Sequence, residues 1–252
     1  MAARRRPPPT ARADGDIGET VDNPFAPPRS DNGHRPAWSA LDEYLWHSCD
    51  IIADLVEKRI DQRPLVATMA RLEPGDRALA VGPAQRLTWR AIGDGSYRHQ
   101  NMFAFGSPAF VIGSMVGSAV GNSARRRAAA NHAQPRWVLD GADEITVTTR
   151  RVYFGHPQCP LDLFWVGLDT IDLVAPDVFQ TSFRDINNHR YTTVQLRTPW
   201  ASLLFVLAAI TAFPAHPRLL GRGWLPTDFE SRCAQIGRPC RPAARLLLEH
   251  GR

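Results

Sequence analysis

Apolar and polar positions change period several times along the chain, and each change predicts an element. Leu41, Leu45, Ile52, Leu55, Val56 and Ile60 fall three, four and seven apart, the spacing of one helical face. Ser39 precedes them as an N-cap, with Asp42 three residues on as a short capping box, and Pro64 marks the end. A short second helix is expected over residues 65–71. Glu73-Pro74-Gly75-Asp76 reads as a tight turn, followed by two short strands over 78–82 and 86–92. From residue 144 the period becomes two. Stretches rich in β-branched residues at 144–149, 151–154, 161–165, 170–174, 178–183 and 191–196 alternate with turn residues, which predicts an antiparallel meander closing into a small barrel or sandwich. The period then returns to that of a helix. Pro199 stands at an expected first helical position, and Trp200, Leu203, Leu204, Leu207 and Ile210 follow in an uncharged run to Phe213. Fourteen residues are too few to cross a bilayer, so this reads as an amphipathic or buried helix plugging the strands. A short helix over 227–236, capped by Thr227 and Glu230, and a basic, frayed tail from Arg241 complete the chain.

Residues 103–121 break both patterns. These 19 positions carry no charge, and Gly113, Gly117 and Gly121 recur every fourth residue. On a helix these glycines form a smooth stripe where another backbone can approach closely. Phe103, Phe105 and Phe110 lie at its start, and Arg125-Arg126-Arg127 follow it. An uncharged stretch with a cationic flank resembles a membrane segment whose basic end faces the cytoplasm. The high share of Gly and Ser, with Pro108, weakens its hydrophobicity. A span, an interfacial or hairpin contact, and a close-packed buried helix all remain open readings.

These elements divide the chain into a disordered tail (1–36), a helical segment (37–72), short strands (73–101), a Gly-rich apolar helix with a basic flank (102–134), a strand-rich domain (135–214) and a C-terminal helical tail (215–252). The expected class is α+β.

Composition narrows the functional classes. The 252 residues hold 30 basic and 25 acidic side chains, a net charge of +5, and Lys58 is the sole lysine. Codon bias is the favoured account of so many arginines; phosphate binding is the lesser one, for which the guanidinium fork suits bidentate contacts. Cys49, Cys159, Cys233 and Cys240 form no C-x-x-C pair and no zinc spacing, and read as reduced, partly buried thiols. The basic N-terminus has no apolar run behind it and does not read as a secretory signal. The tryptophans, Trp89 and Trp137 among them, read as core. Asp140, Asp143 and Glu144 read as a solvated turn before a strand. No nucleophile elbow, phosphate loop, S-x-x-K or H-E-x-x-H motif is present, so no catalytic residue, cofactor or metal ligand is assigned, and the chain reads as a non-enzyme.

The strand-rich third resembles bacterial pleckstrin-homology-like domains. The resemblance rests on Thr148, Arg150, Arg151 and Val152 in one strand and on Leu168, Ile171 and Val174 in a later one, over about 75 residues. It implies a bent sheet of about seven strands capped by one C-terminal helix, with added N-terminal helices in this chain. It also implies lipid-headgroup or protein binding and frequent self-assembly. The expected site is a phosphate- or lipid-binding patch formed by Arg125, Arg126, Arg127, Arg136, Arg150 and Arg151. Phe103, Phe105, Phe110, Gly113, Gly117 and Gly121 would contact the membrane or another helix beside it. The expected partners are an anionic membrane surface, at the cytoplasmic face of the plasma membrane, or a protein partner or second copy of the chain. The alternatives are a soluble protein-binding module with the Gly-rich helix buried and, as a lesser one, a nucleic-acid-binding protein.

Overall fold

The computed structural model describes residues 38–92, 133–185 and 190–250. The expected disordered tail and the Gly-rich segment, with Phe103, Phe105, Phe110, Gly113, Gly117, Gly121 and Arg125 to Arg127, lie outside the described residues.

Helix α1 (Ala40–Val56) starts as its sequence predicts: the Ser39 hydroxyl accepts from the Asp42 N–H at 3.1 Å, and the Asp42 carboxylate accepts from the Ser39 N–H at 2.9 Å. It stops a full turn or more before Pro64. Lys58 enters the left-handed region (φ 57°), and the chain continues as a single 3₁₀ turn, Ile60–Gln62. The second helix expected over 65–71 does not form. Leu65 and Met69 are 81% and 96% exposed, so no apolar face is available to bury, and Thr68 is instead held across to Thr146 by a 2.6 Å hydroxyl bond.

Seven strands form one antiparallel sheet in the order β4-β3-β2-β1-β7-β6-β5. They are β1 (Ala78–Arg90), β2 (Arg136–Thr148), β3 (Arg151–Phe154), β4 (Leu161–Phe164), β5 (Leu168–Ala175), β6 (Val178–Arg184) and β7 (Tyr191–Arg197). Two meanders, β1–β4 and β5–β7, are joined where Gln85 to Thr88 of β1 pair with β7. The two short strands expected over 78–92 are one continuous strand, which runs beside β2 from Ala78 to Arg90. Residues 78–90 are therefore part of the main sheet. Gly82-Pro83 broke its pattern, but Pro83 falls in the half of β1 that has β2 alone for a neighbour, where a residue without an N–H is tolerated.

Helix α2 (Ala201–Ala212) follows β7. Its first nine residues are all buried, as an element apolar on every side requires. One side packs on β5, β6 and the 3₁₀ turn Trp165–Gly167; α1 covers another. Each of Leu203, Leu204, Phe205 and Leu207 contributes about 1.5–3 kcal/mol by leaving water. Pro199 sits just outside the helix, with Trp200 at the N-cap. The Trp200 indole donates to the Val81 carbonyl at 3.1 Å, and a Cβ on Gly82 would come within 2.6 Å of that indole nitrogen, so only glycine permits this docking. Three shorter helices complete the chain: α3 (Pro217–Leu220), α4 (Phe229–Gln235) and α5 (Ala243–His250). Asp228, not Thr227, occupies the N-cap of α4 and makes no side-chain cap bond.

The C-terminal tail is not frayed. Ala243 and Ala244 are buried, and α5 packs on α1. Its arginines meet the acidic side of α1: Arg232 pairs with Asp42 at 3.0 Å, Arg238 with Glu43 at 2.8 Å, and Arg241 with Asp54 and with Glu57. Arg63 joins Asp50 and Asp54 at 2.8 and 2.6 Å. Burial alone would raise the Asp42 and Asp54 carboxyls, but hydrogen bonds outweigh it and hold both below the usual range, from Ser39 first and then Arg232 on Asp42, and from Arg241 and Arg63 on Asp54. Much of the positive charge of the tail is thereby spent inside the fold.

Candidate functional site

Strands β1 and β2 form a long two-stranded ribbon, and the residues singled out from sequence fall at its opposite ends. Arg136 begins β2, and Arg150 and Arg151 follow its last residue, Thr148. Twelve strand steps separate Arg136 from Thr148, about 40 Å at the usual rise. The expected convergence of Arg136 with Arg150 and Arg151 in one patch is thus not what the strand geometry builds.

At the Arg150–Arg151 end the cations are consumed by carboxylates. Arg151 is 1% exposed. Its guanidinium contacts Asp76 at 2.8 Å, Glu73 at 3.0 Å and Asp162 at 3.2 Å, and lies 4.4 Å from the Tyr153 ring centroid and 4.6 Å from that of Phe164. Arg150 is more exposed but donates to Asp76 at 2.7 Å. Burial alone would raise the Asp76 carboxyl, but the hydrogen bonds from Arg150 and Arg151 outweigh it and hold the carboxyl below its ordinary range. Asp162 moves the other way, raised chiefly by burial. This cluster clamps the 73–76 turn onto β3 and β4, and leaves Arg151 nothing for a ligand.

Among the described residues the other end is open. The register pairs Trp89 with Trp137 and Leu87 with Leu139, so all four side chains share one face of the ribbon. Thr88 pairs with the buried Val194 of β7 and points toward the core, so the tryptophan face looks outward. Trp89 is 47% exposed, Leu139 55% and Ile92, just past the strand, 54%. The two indoles meet edge to face with centroids 5.3 Å apart. Core packing, expected for the tryptophans, holds for Trp165, Trp200 and Trp224 but not for Trp89.

On the opposite face Asp140 organises the cations. It is not a solvated turn residue but sits at the bulge where β2 gains one residue against β1, between the pairs Arg86–Gly141 and Leu87–Leu139. Thr88 donates to it, Arg86 lies 3.3 Å away and Arg90 2.8 Å away. Arg90 keeps 56% of its side chain exposed, and Arg136, directly across from it, is exposed and has no ion pair among the described residues. One carboxylate thus offsets only part of three guanidinium charges. The strand end combines an indole pair, two exposed aliphatic side chains and two outward cations, a set suited to an interface that is greasy on one side and anionic on the other.

Sequence reasoning found Arg136 and missed Trp89, Arg90, Ile92 and Leu139. The signal was the matched alternation Leu87-x-Trp89 and Trp137-x-Leu139, two apolar pairs that antiparallel pairing places together.

Clefts lie elsewhere on the described residues. One of about 900 Å³ runs between the start of α1, β1 and β2, with Tyr44, Pro83, Glu144 and Arg197 among its walls; another, of about 400 Å³, adjoins it across Leu41 and Pro199. Among the described residues no group of three or more His, Cys, Asp or Glu is placed to hold a metal ion, and no helix is long and apolar enough to cross a membrane. No known protein family and no curated protein matches the chain.

Proposed function

We propose that the chain is a non-catalytic, membrane-associated scaffold with a pleckstrin-homology-like core, and that the free end of the β1–β2 ribbon is its contact with an anionic lipid surface. Two antiparallel meanders joined through β1 and β7, followed by a buried helix after the last strand, support the pleckstrin-homology-like reading. The observation that carries the membrane reading is the outward set of Trp89, Trp137, Leu139 and Ile92, with Arg90 and Arg136 on the other face of the same strand end. Indoles settle at the headgroup level of a bilayer, and basic residues near an anionic leaflet contribute about 1 kcal/mol each. The connection leaving this end also carries Phe103, Phe105, Phe110 and Arg125 to Arg127 in its sequence, chemistry of the same kind. On this reading the chain works in the cytoplasm at the inner face of the plasma membrane.

Co-sedimentation of the full-length protein with phosphatidylglycerol vesicles and with phosphatidylcholine vesicles tests the proposal. Binding to the anionic vesicles alone, lost at high salt and lost in a Trp89→Ser/Leu139→Ser variant, is the expected result. Absence of binding to either vesicle at low salt overturns it. A soluble protein-binding module then takes its place, with the 900 Å³ cleft as the recognition surface.

A further inference from the structure

The end of the chain brings three thiols together against α1. Cys49 in mid-helix and Cys233 on α4 are both 0% exposed, whereas Cys240, in the loop before α5, is partly exposed; all three are free. Arginines on either side fix the position of Cys240. Arg238 donates its N–H to the Cys233 carbonyl at 3.0 Å and grips Glu43 with its guanidinium. Arg241 reaches to 3.5 Å from the carbonyl of Asp50, the residue after Cys49, and pairs with Asp54 and Glu57. With Arg238 and Arg241 both held on α1, and the residue after Cys240 bonded to the residue after Cys49, the Cys240 loop is laid against the stretch of α1 that carries Cys49; the Cys240 sulfur lies 3.5 Å from the Arg241 carbonyl.

This arrangement makes the trio unequal. Hydrogen bonds donated by Cys49 and, less strongly, by Cys233 outweigh burial and the opposing charge of Glu230, and hold the Cys240 thiol below the ordinary range. Burial and the neighbouring Cys240 push Cys233 up to about 12; the hydrogen bond to Cys240 and burial push Cys49 higher still. The partly exposed member is the one that favours the thiolate, and a protonated partner waits behind it.

We propose that Cys240 is an oxidation-sensitive thiol that reacts with a hydroperoxide and then closes a disulfide onto Cys49, tying the C-terminal tail to α1. In the first step the Cys240 thiolate attacks a peroxide oxygen. The S–O bond forms, the O–O bond breaks, Cys240 is oxidised to a sulfenic acid and the peroxide is reduced to an alcohol or water. In the second, the Cys49 sulfur attacks that of Cys240. The S–S bond forms, the S–O bond breaks, and the departing hydroxide leaves as water with the Cys49 proton. Two thiols and one hydroperoxide thus give one disulfide, one alcohol or water, and one further water. The inference is independent of the membrane reading.

The test treats the full-length folded protein with hydrogen peroxide, alkylates remaining thiols and maps peptides by mass spectrometry without reduction. The expected product is a Cys49–Cys240 cross-linked peptide that disappears on reduction. Cys240→Ser should abolish it, and Cys49→Ala should leave Cys240 as a sulfenic acid trapped by dimedone. Circular dichroism and a melting curve of each variant confirm that the fold is kept. Cys159, whose sulfur lies 3.1 Å from the His156 ring, is the internal control and should enter no cross-link. An unmodified Cys240, its conversion to sulfinic acid without a cross-link, or a Cys233–Cys240 bridge in place of the expected one would each overturn the proposal.

Discussion

The two ends of the β1–β2 ribbon carry the same residue types and have opposite fates. Both have arginines and aromatic rings. At one end Asp76, whose side chain is fully buried, and Glu73 and Asp162 surround Arg151, and the cation stacks between Tyr153 and Phe164. At the other, Asp140 serves Arg86 and Arg90, Arg136 has no acid among the described residues, and Trp89 faces solvent. Residue type alone does not mark a binding patch. What distinguishes the ends is whether carboxylates from a distant turn arrive to neutralise the guanidinium groups. A buried and fully paired arginine is architecture, and an exposed one with spare donors is available to a ligand.

The sharpest way to break this comparison is Arg151→Ala. Removing it leaves Asp76 buried with Arg150 alone and should cost about 3–5 kcal/mol in a urea melt. If the loss is under about 1 kcal/mol, the clamp is not structural. Next is Gly82→Val, which drives a side chain into the Trp200 indole. Overpacking of this kind costs about 1–3 kcal/mol, read in the same melt.

Acid should loosen the clamped regions. Asp42, Asp54 and Asp76 have folded values below the ordinary 3.8, so their contribution is complete above that pH and drains away as pH falls through the folded values. Asp162, raised by burial, runs the other way and offsets a part. Thermal melts across this range should show melting temperature falling with pH below about 4, and an invariant melting temperature would remove the three carboxylates from the account.

The smallest stability effect belongs to the open end. Trp89→Ser/Leu139→Ser should shift stability by no more than about 0.5 kcal/mol per site, as exposed positions do. A larger loss would mean that the outward face is covered in the folded protein.

How much of this was legible in the sequence depended on the range of the interactions. The second half of β2, from residue 144, and strands β3 to β7 announced themselves by local alternation, and α1 by its apolar face and the Ser39–Asp42 box; the first half of β2 was hidden because Asp140, Gly141 and Asp143 read as a turn. The continuity of β1 was hidden because Gly82-Pro83 reads as a break, while the partner that keeps it extended lies more than fifty residues away. The tail looked frayed because Arg232, Arg238 and Arg241 find their acids on α1, nearly two hundred residues earlier. Arg150 and Arg151 resembled a ligand patch for the same reason, since nothing local shows that Asp76 will bury itself against them. The tryptophans were legible as apolar positions but not as inside or outside. That depends on which strand face receives α2.

The account is tested most directly by one paired titration with phosphatidylglycerol vesicles, Arg136→Gln against Arg150→Gln, both at exposed arginines on opposite ends of the ribbon. Arg136→Gln should weaken binding by about 1 kcal/mol, roughly fivefold, and flatten the salt dependence, while Arg150→Gln binds like the parent. Equal losses in both variants, or a loss in Arg150→Gln alone, would contradict it.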